Sequence, residues 1–368
     1  MGGALGLAWN GGTRARYLGP PPLTTSPMHL PLLGLTLLSL LTLGDAQDVV
    51  QKPVTRWVRY EGQKGPGKGK HIVLIAGDEE YRSEEALPML GKILSQRHGF
   101  RCTVLFSQEP DTGIIDPTNQ NHIPGLEVLA SADMAVVFLR FRNLPDEDMR
   151  HFADFVKAGK PIFGIRTSTH AFAYPDDSTS AFQHWRYNSR SWSGGFGRQI
   201  LGETWRTHHG NHGSEATRGI IPVPARQHPI LRGVQDVFGL TDVYGVPDLP
   251  GDVTVLLEGS IRAGMQEDSP EVADARNQPR HPIAWTRELP VEDKPAQRVV
   301  CSTIGASIDL KCEDLRRLFV NSCYWCLGLE DQIAERSDVE LVGPYEPTMF
   351  GFGTYVKGVR VSDHAWPR

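Results

Sequence analysis

Four short apolar runs, residues 71–76, 102–106, 134–139 and 161–165, alternate with two amphipathic stretches, and this alternation limits the fold more than any other feature of the chain. Each run lacks charge and has the length of a strand buried on both faces. The stretches between them read as helices over 83–98 and 146–158, closed by Gly99 and Gly159. Ser83 is the expected N-cap of the first, with Glu84 and Glu85 in its opening turn. Strands and helices in this rhythm make βαβ units on a parallel sheet with right-handed crossovers. The last of the four runs ends abruptly at Gly164-Ile-Arg-Thr-Ser-Thr-His170, where Ser168 or Thr169 can cap a following helix. Such a strand-to-helix elbow lifts one side chain, Arg166 or Thr167, over a helix N-terminus. An arginine there needs an acidic partner or a bound anion, and Glu79 or Glu80 from the first strand's loop are the expected partners.

Further short strands are expected at 219–223, 253–257, 283–286 and 298–304, followed by a helix over 314–329. Residues 182–214 break the pattern with Trp185, Tyr187, Trp192, Phe196 and Trp205 scattered among Gly, Ser, Arg and His. A long aromatic insertion of this kind either builds a site or makes a small core of its own. The domain division that follows is 1–46 as a signal peptide, 47–70 as a linker, 71–330 as the α/β domain and 331–368 as a Gly/Pro-rich tail. The signal reading rests on the 14-residue apolar run 30–43 followed by small residues up to Ala46, too short for a spanning helix. Met28 is an alternative start. Export to a periplasmic or extracellular location is therefore expected, with no stable membrane span after cleavage at Ala46. The net charge of −5 gives no basic footprint for nucleic acid. Five cysteines in an exported chain leave at least one unpaired. Cys323-Tyr-Trp-Cys326 has redox or metal spacing, yet it sits on the apolar face of a helical pattern, where buried small-residue core is the better reading.

In an open parallel sheet, ligands bind beyond the carboxyl ends of the strands. Those ends carry Asp78, Glu79, Glu80, Tyr81 and Arg82, then Arg140 and Arg142, then Arg166, Thr167 and His170. Tyr81, Arg82, Arg140, Arg142, Arg166 and Thr167 are candidate ligand contacts, because a guanidinium offers a planar fork of donors to carboxylate, phosphate or vicinal hydroxyls. The competing reading is that these arginines pair with Glu79, Glu80, Glu84 and Glu85 and only hold loops. Downstream, Trp205, His208, His209, His212 and Glu215 form a second cluster. His170, His209 and Glu80 are the candidate acid–base groups, with Trp205 and His208 as further contacts. His208, His209 and His212 are an alternative divalent-metal set, although their spacing matches no metal motif, and the third reading is polar loop residues satisfied by backbone. No other cofactor is expected, and nothing in the sequence speaks to oligomeric state.

Several long motifs occur in the same order as in a known family: Glu80-Tyr-Arg-Ser-Glu84, Gly164-Ile-Arg-Thr-Ser-Thr-His-Ala-Phe172, Leu201-Gly-Glu-Thr-Trp205, His208-His-Gly210, His228-Pro-Ile230, Pro282-Ile-Ala-Trp-Thr-Arg287 and Tyr324-Trp325. Over residues 71–330 the chain resembles secreted ThuA-like (trehalose-utilisation) proteins of the planctomycete type. The resemblance implies a flavodoxin-like, class I glutamine amidotransferase-like α/β fold, a three-layer sandwich around a mainly parallel sheet. It also implies a sugar or anionic small-molecule ligand. In amidotransferases the elbow carries a nucleophilic Cys. Here the matching position is Arg166, which cannot attack as a thiolate does, so glutaminase activity is not expected. Asp242 and Tyr244 fall in a shared segment to which the resemblance gives no role. Two functional expectations stand side by side: an exported enzyme using acid–base chemistry on a sugar derivative, and a non-catalytic carbohydrate- or anion-binding protein on a degenerate amidotransferase scaffold.

Overall fold

The computed structural model describes residues 55–366. The expected signal peptide lies outside them. Ten strands form one sheet in the order β1-β3-β2-β4-β5-β10-β9-β8-β6-β7. They are β1 (Trp57–Tyr60), β2 (His71–Gly77), β3 (Arg101–Phe106), β4 (Met134–Leu139), β5 (Ile162–Ile165), β6 (Thr217–Ile220), β7 (Val237–Gly239), β8 (Val253–Ile261), β9 (His281–Val291) and β10 (Lys294–Ser302). The middle of the sheet, β3-β2-β4-β5-β10, is parallel. β1 and the flank β9-β8-β6-β7 pair antiparallel. A mainly parallel sheet therefore describes only the central block. The reason lies in the connections: β9 and β10 are joined at Glu292-Asp293, with Asp293 at φ 54°, and a two-residue hairpin can only make antiparallel neighbours.

Helices α1 (Ser83–His98) and α3 (Glu313–Cys326) share an apolar cluster with Ile72, Leu74 and Ala76 of β2, whereas α2 (Asp146–Lys157) shares another with Val73 and Ile75. Successive side chains of a strand point to opposite faces, so a run such as Ile72–Ala76 must be apolar throughout to serve both. In α3 every residue after Glu313 is buried. Cys323 and Cys326 are accordingly enclosed free thiols, pushed up by burial, in keeping with packing rather than redox chemistry.

Several local expectations are corrected. The stretch taken as a linker contains β1, held against β3, with the Tyr60 hydroxyl donating to the His364 carbonyl at 2.9 Å. Ser83 does not cap α1. Its Oγ instead accepts the Asp78 N–H at 3.0 Å, and Arg82 precedes the helix at φ 62°. After β5 the chain makes only a five-residue 3-10 turn, Arg166–His170, and Ser168 donates to the Val137 carbonyl at 2.6 Å rather than capping a helix. The expected tail is woven into the domain: Tyr345 donates to the Ser307 carbonyl at 2.7 Å, and the Thr348 N–H to Glu85 at 2.8 Å. Its Gly351 N–H reaches the Glu80 carbonyl at 2.8 Å, and Phe350 is buried. Among the described residues no helix is long and apolar enough to cross a membrane.

Glu84, in the first turn of α1, is buried, and its carboxyl oxygens have no hydrogen-bond partner among the described residues. Burial raises its pKa from 4.5 to about 8. The folded protein then holds a proton that the unfolded chain releases, so this contribution to stability is complete below the ordinary carboxyl value and is lost as pH rises through about 8. Denaturant melts from about pH 5 to about pH 9 should show stability falling by a few kcal/mol, roughly 3–5 at most, and Glu84→Gln should flatten that slope. A slope unchanged in the variant would assign it to other groups.

Candidate functional site

Arg166 sits at the turn after β5 with φ 45°, a left-handed backbone that side-chain-bearing residues adopt rarely. Its guanidinium is completely buried. One terminal nitrogen donates to the carbonyls of Asp242 (2.7 Å) and Thr303, and the other to Asp242 Oδ1 (2.8 Å) and the Tyr81 hydroxyl (3.1 Å). Tyr244 and Tyr81 cover it, with ring centres 3.7 and 4.6 Å from the guanidinium carbon. The expected partner, Glu79 or Glu80, is therefore corrected to Asp242. Glu79 and Glu80 face Arg140 instead, and Glu79 also Arg142. With both terminal nitrogens occupied by protein, Arg166 is a scaffold for Asp242 and not a ligand contact.

Asp242 accepts, besides Arg166, the Nδ1 of His208 at 2.7 Å and the Nδ1 of His212 at 3.1 Å. Burial alone would raise its carboxyl, but Arg166 and the two imidazoles outweigh burial and hold it well below the usual carboxylate range. The histidines reach it because residues 207–210 run as a short ladder beside 243–245, with the Gly245 N–H to the Thr207 carbonyl at 2.9 Å and the His209 N–H to the Val243 carbonyl at 2.8 Å. Neighbouring side chains in such a ladder point to opposite sides. His208 thus faces Asp242, while His209 turns away, stacks on His281 at 4.0 Å and contacts the Arg276 carbonyl through Nε2 at 2.7 Å. The roles expected for His209, catalytic or metal-binding, are corrected on this ground. Gly210 permits the close run, since a Cβ there would lie 3.2 Å from that of Asp242. The Nε2 of His208 has no hydrogen-bond partner among the described residues, and the side chain is 35% exposed.

His212 bridges two carboxylates, Asp242 through Nδ1 and Glu80 Oε1 through Nε2 at 3.3 Å. The Asp242 hydrogen bond raises its pKa against the opposing effect of burial. Glu80 is also raised, by burial and by Asp78, although Arg140 lies 3.4 Å away. His170 is fully enclosed among Phe141 (4.9 Å), Trp205 (5.4 Å) and Tyr244 (6.2 Å), and burial, followed by Arg140 and Arg166, pushes its pKa well below 6.5. It is a neutral imidazole behind the cleft. Trp205 and Tyr187 are half-buried, and Trp205 stands 5.9 Å from His208. The remaining insertion aromatics Phe182, Trp185 and Phe196 pack with Phe152 or Phe172 as core. These residues form the small core that was one of the two readings of the insertion.

Besides Arg166, three more of the expected ligand contacts are held by protein partners. Arg142 is buried and spends its donors on Glu79 and on the carbonyls of Arg140, Pro117 and Asn119. Arg82 ties Glu80 to the tail through the carbonyls of Glu80 and Gly351. Thr167 donates to Asp78, whose Oδ1 also accepts the N–H of Glu80 at 2.8 Å and that of Tyr81. Arg140 keeps partial exposure, its guanidinium between the rings of Phe141 and Phe352. The groups with some exposure around Asp242 are thus Arg140, Trp205, His208 and His212, with Glu80, Tyr81 and His170 buried beside them. Cavities of about 260 Å³ between α1 and the tail and about 600 Å³ beside β7 are lined by neither Asp242 nor its histidines. Asp242 is the residue that sequence reasoning named without giving it a role. The available signal was a lone acid in the otherwise uncharged run Phe238–Val246.

Arg166→Ala leaves Asp242 buried without its guanidinium, and equilibrium unfolding should show a loss of about 3–5 kcal/mol. A loss under about 1 kcal/mol would mean that the two histidines alone satisfy the carboxylate.

No family model and no curated protein matches the sequence. Among solved structures, the chain is similar to a ThuA-like protein of Parabacteroides merdae at 14% identity, over 77% of this chain and 98% of that one, with a TM-score of 0.47. It is similar to a ThuA-like protein of Bacteroides uniformis at 15% identity, over 73% and 95%, with a TM-score of 0.46. The glutaminase domain of Trypanosoma brucei CTPS is also similar, at 9% identity over 76% and 98%, with a TM-score of 0.31. These neighbours carry the names of the two groups that the sequence motifs resemble, and at this distance the likeness assigns neither substrate nor reaction.

Proposed function

We propose that this protein is exported and acts on a sugar or sugar derivative by acid–base chemistry in the cleft at the carboxyl ends of β2, β4 and β5. The observation that carries the reading is the hydrogen bond of 2.7 Å between His208 Nδ1 and Asp242. A carboxylate on Nδ1 fixes the tautomer with its proton there and leaves Nε2 as an unshared base facing the open side. Arg166 keeps Asp242 ionised, so the orienting group does not itself take the proton. Glu80, raised by burial, is the acid partner in the same cleft. Trp205 offers a flat apolar face suited to a sugar ring, and Arg140 suits hydroxyl or anionic substituents. The sugar class comes from the motif resemblance to trehalose-utilisation proteins, and export from the apolar run ahead of Ala46. Glutaminase chemistry is not proposed, because the elbow residue Arg166 offers no nucleophile.

The second reading is a non-catalytic sugar- or anion-binding protein, favoured by the enclosure of the elbow side chain. A screen of disaccharides and their oxidised forms separates the two. Turnover by the wild type, reduced at least about 100-fold in His208→Ala and weakened in KM by Trp205→Ala, is the expected result. Binding without turnover in the wild type would leave the binding-protein reading. His209→Ala should behave as wild type, since that imidazole faces away from the cleft.

A further inference from the structure

We propose that His208, His212 and Asp242 form a site for a first-row divalent transition metal ion of the zinc class, an inference that rests on taking the same cleft as functional. Two imidazoles and one carboxylate are a donor set such ions accept, and three protein ligands leave a position free for water or a substrate oxygen. One ligand atom from each residue lies within 4.8 Å of the others. The His208 and His212 Nδ1 atoms stand 2.7 and 3.1 Å from Asp242 oxygens. Bonds of about 2.0–2.1 Å in a tetrahedral shell set donor atoms roughly 3.3 Å apart, so entry of an ion asks the His208–Asp242 gap to open by about 0.6 Å and the His212–Asp242 gap by about 0.2 Å, while any wider separation within the 4.8 Å set closes. Both histidines lie on a loop, with side chains 35% and 33% exposed, and can make that movement while Arg166 keeps Asp242 in place.

The surroundings of His212 are compatible with a ligand role. Its Nδ1 faces Asp242 and its Nε2 faces Glu80 at 3.3 Å, so a carboxylate stands at each ring nitrogen. A neutral imidazole has one N–H and can satisfy one of them; an imidazolium satisfies both, so the arrangement is compatible with an ion and does not require one. An ion on the Nδ1 side takes the lone pair there and leaves Nε2–H for Glu80, the arrangement in which an outer carboxylate orients a metal-bound histidine. Asp242 is likewise oriented from behind by Arg166. An ion on His208 Nδ1 would replace the hydrogen bond to Asp242 and place the proton on Nε2, so in the metal-bound form His208 is a ligand and not the base, and the ion itself would polarise a carbonyl or grip adjacent hydroxyls of the ligand.

The test uses the full chain, purified without chelator and without a histidine tag, and reads metal without any sugar. Zinc content after dialysis, the melting shift with zinc chloride and the visible absorption of the cobalt(II) form should report one ion per chain. His208→Ala and His212→Ala should bind zinc at least about tenfold more weakly, His209→Ala as tightly as wild type, and Glu80→Gln about tenfold more weakly through the lost orientation. Circular dichroism identifies any variant that fails to fold, in which case Glu80→Gln and the cobalt spectrum of the wild type decide. Wild type that takes up neither zinc nor cobalt at micromolar free ion, or His209→Ala losing as much as His208→Ala, overturns the site. Failure of zinc uptake leaves the sugar reading standing on the His208–Asp242 pair, and failure of the sugar screen leaves the metal measurement untouched.

Discussion

A guanidinium enclosed between the rings of Tyr81 and Tyr244 could not persist as an isolated charge, and the arrangement around β5 follows from its pairing with Asp242. Desolvating the two ions costs several kcal/mol each, which their mutual attraction offsets only with good geometry and satisfied remaining donors. Both terminal nitrogens of Arg166 do find acceptors, and Nε alone has none among the described residues. The consequence reaches the surface. An ionised, immobile carboxylate is presented to the loop at 207–212, and two histidines converge on it. A strained residue at an elbow thus organises a site without touching the cleft itself.

The outer boundary of the cleft comes from segments remote in sequence. Arg82 and Gly351 exchange contacts between the first loop and the tail, and Phe350 packs on Tyr81 and His212, each at 5.4 Å between ring centres. Phe352 and Phe141 enclose the Arg140 guanidinium from two sides. The acidic first loop is thereby neutralised in part by Arg140 and Arg142, and Glu80 is left shared between Arg140 and His212. Charge in this cleft is balanced by pairs that include few free groups. Among those few is His208, whose Nε2 has no hydrogen-bond partner among the described residues.

The strands, α1, α2 and the terminal helix were legible in the chain because their signal is local. A strand buried on both faces must be apolar at every position, and Ile72–Ala76 or Met134–Leu139 can be read without knowing their neighbours. The carboxyl ends of β2, β4 and β5 were placed by the same reading, with Glu80 and Arg140 beyond them, whereas Trp205 and His208 came from the separate cluster at 205–215. Strands β1 and β7, of four and three residues, carried too little pattern to be found, and their stability comes from pairing with β3 and β6. Partial docking of the tail was legible from Phe350, Phe352 and Tyr355, but its extent depends on single contacts such as that of Gly351 with Glu80.

Sequence by itself determined the α/β alternation, the elbow with arginine at its apex and the residue types available for chemistry. Tertiary structure alone decided which of them meet. Arg166 and Asp242 are 76 positions apart and come together only when β5 and the segment after β7 share one sheet. The choice between His208 and His209 was decided by the short ladder with residues 243–245, whose two-residue period turns adjacent imidazoles to opposite sides. Burial separates the arginines: Arg82, Arg142 and Arg166 found enough internal acceptors to be enclosed, and Arg140 keeps partial exposure. Composition specifies a supply of donors and acceptors, and only the closed chain determines which of them remain unpaired.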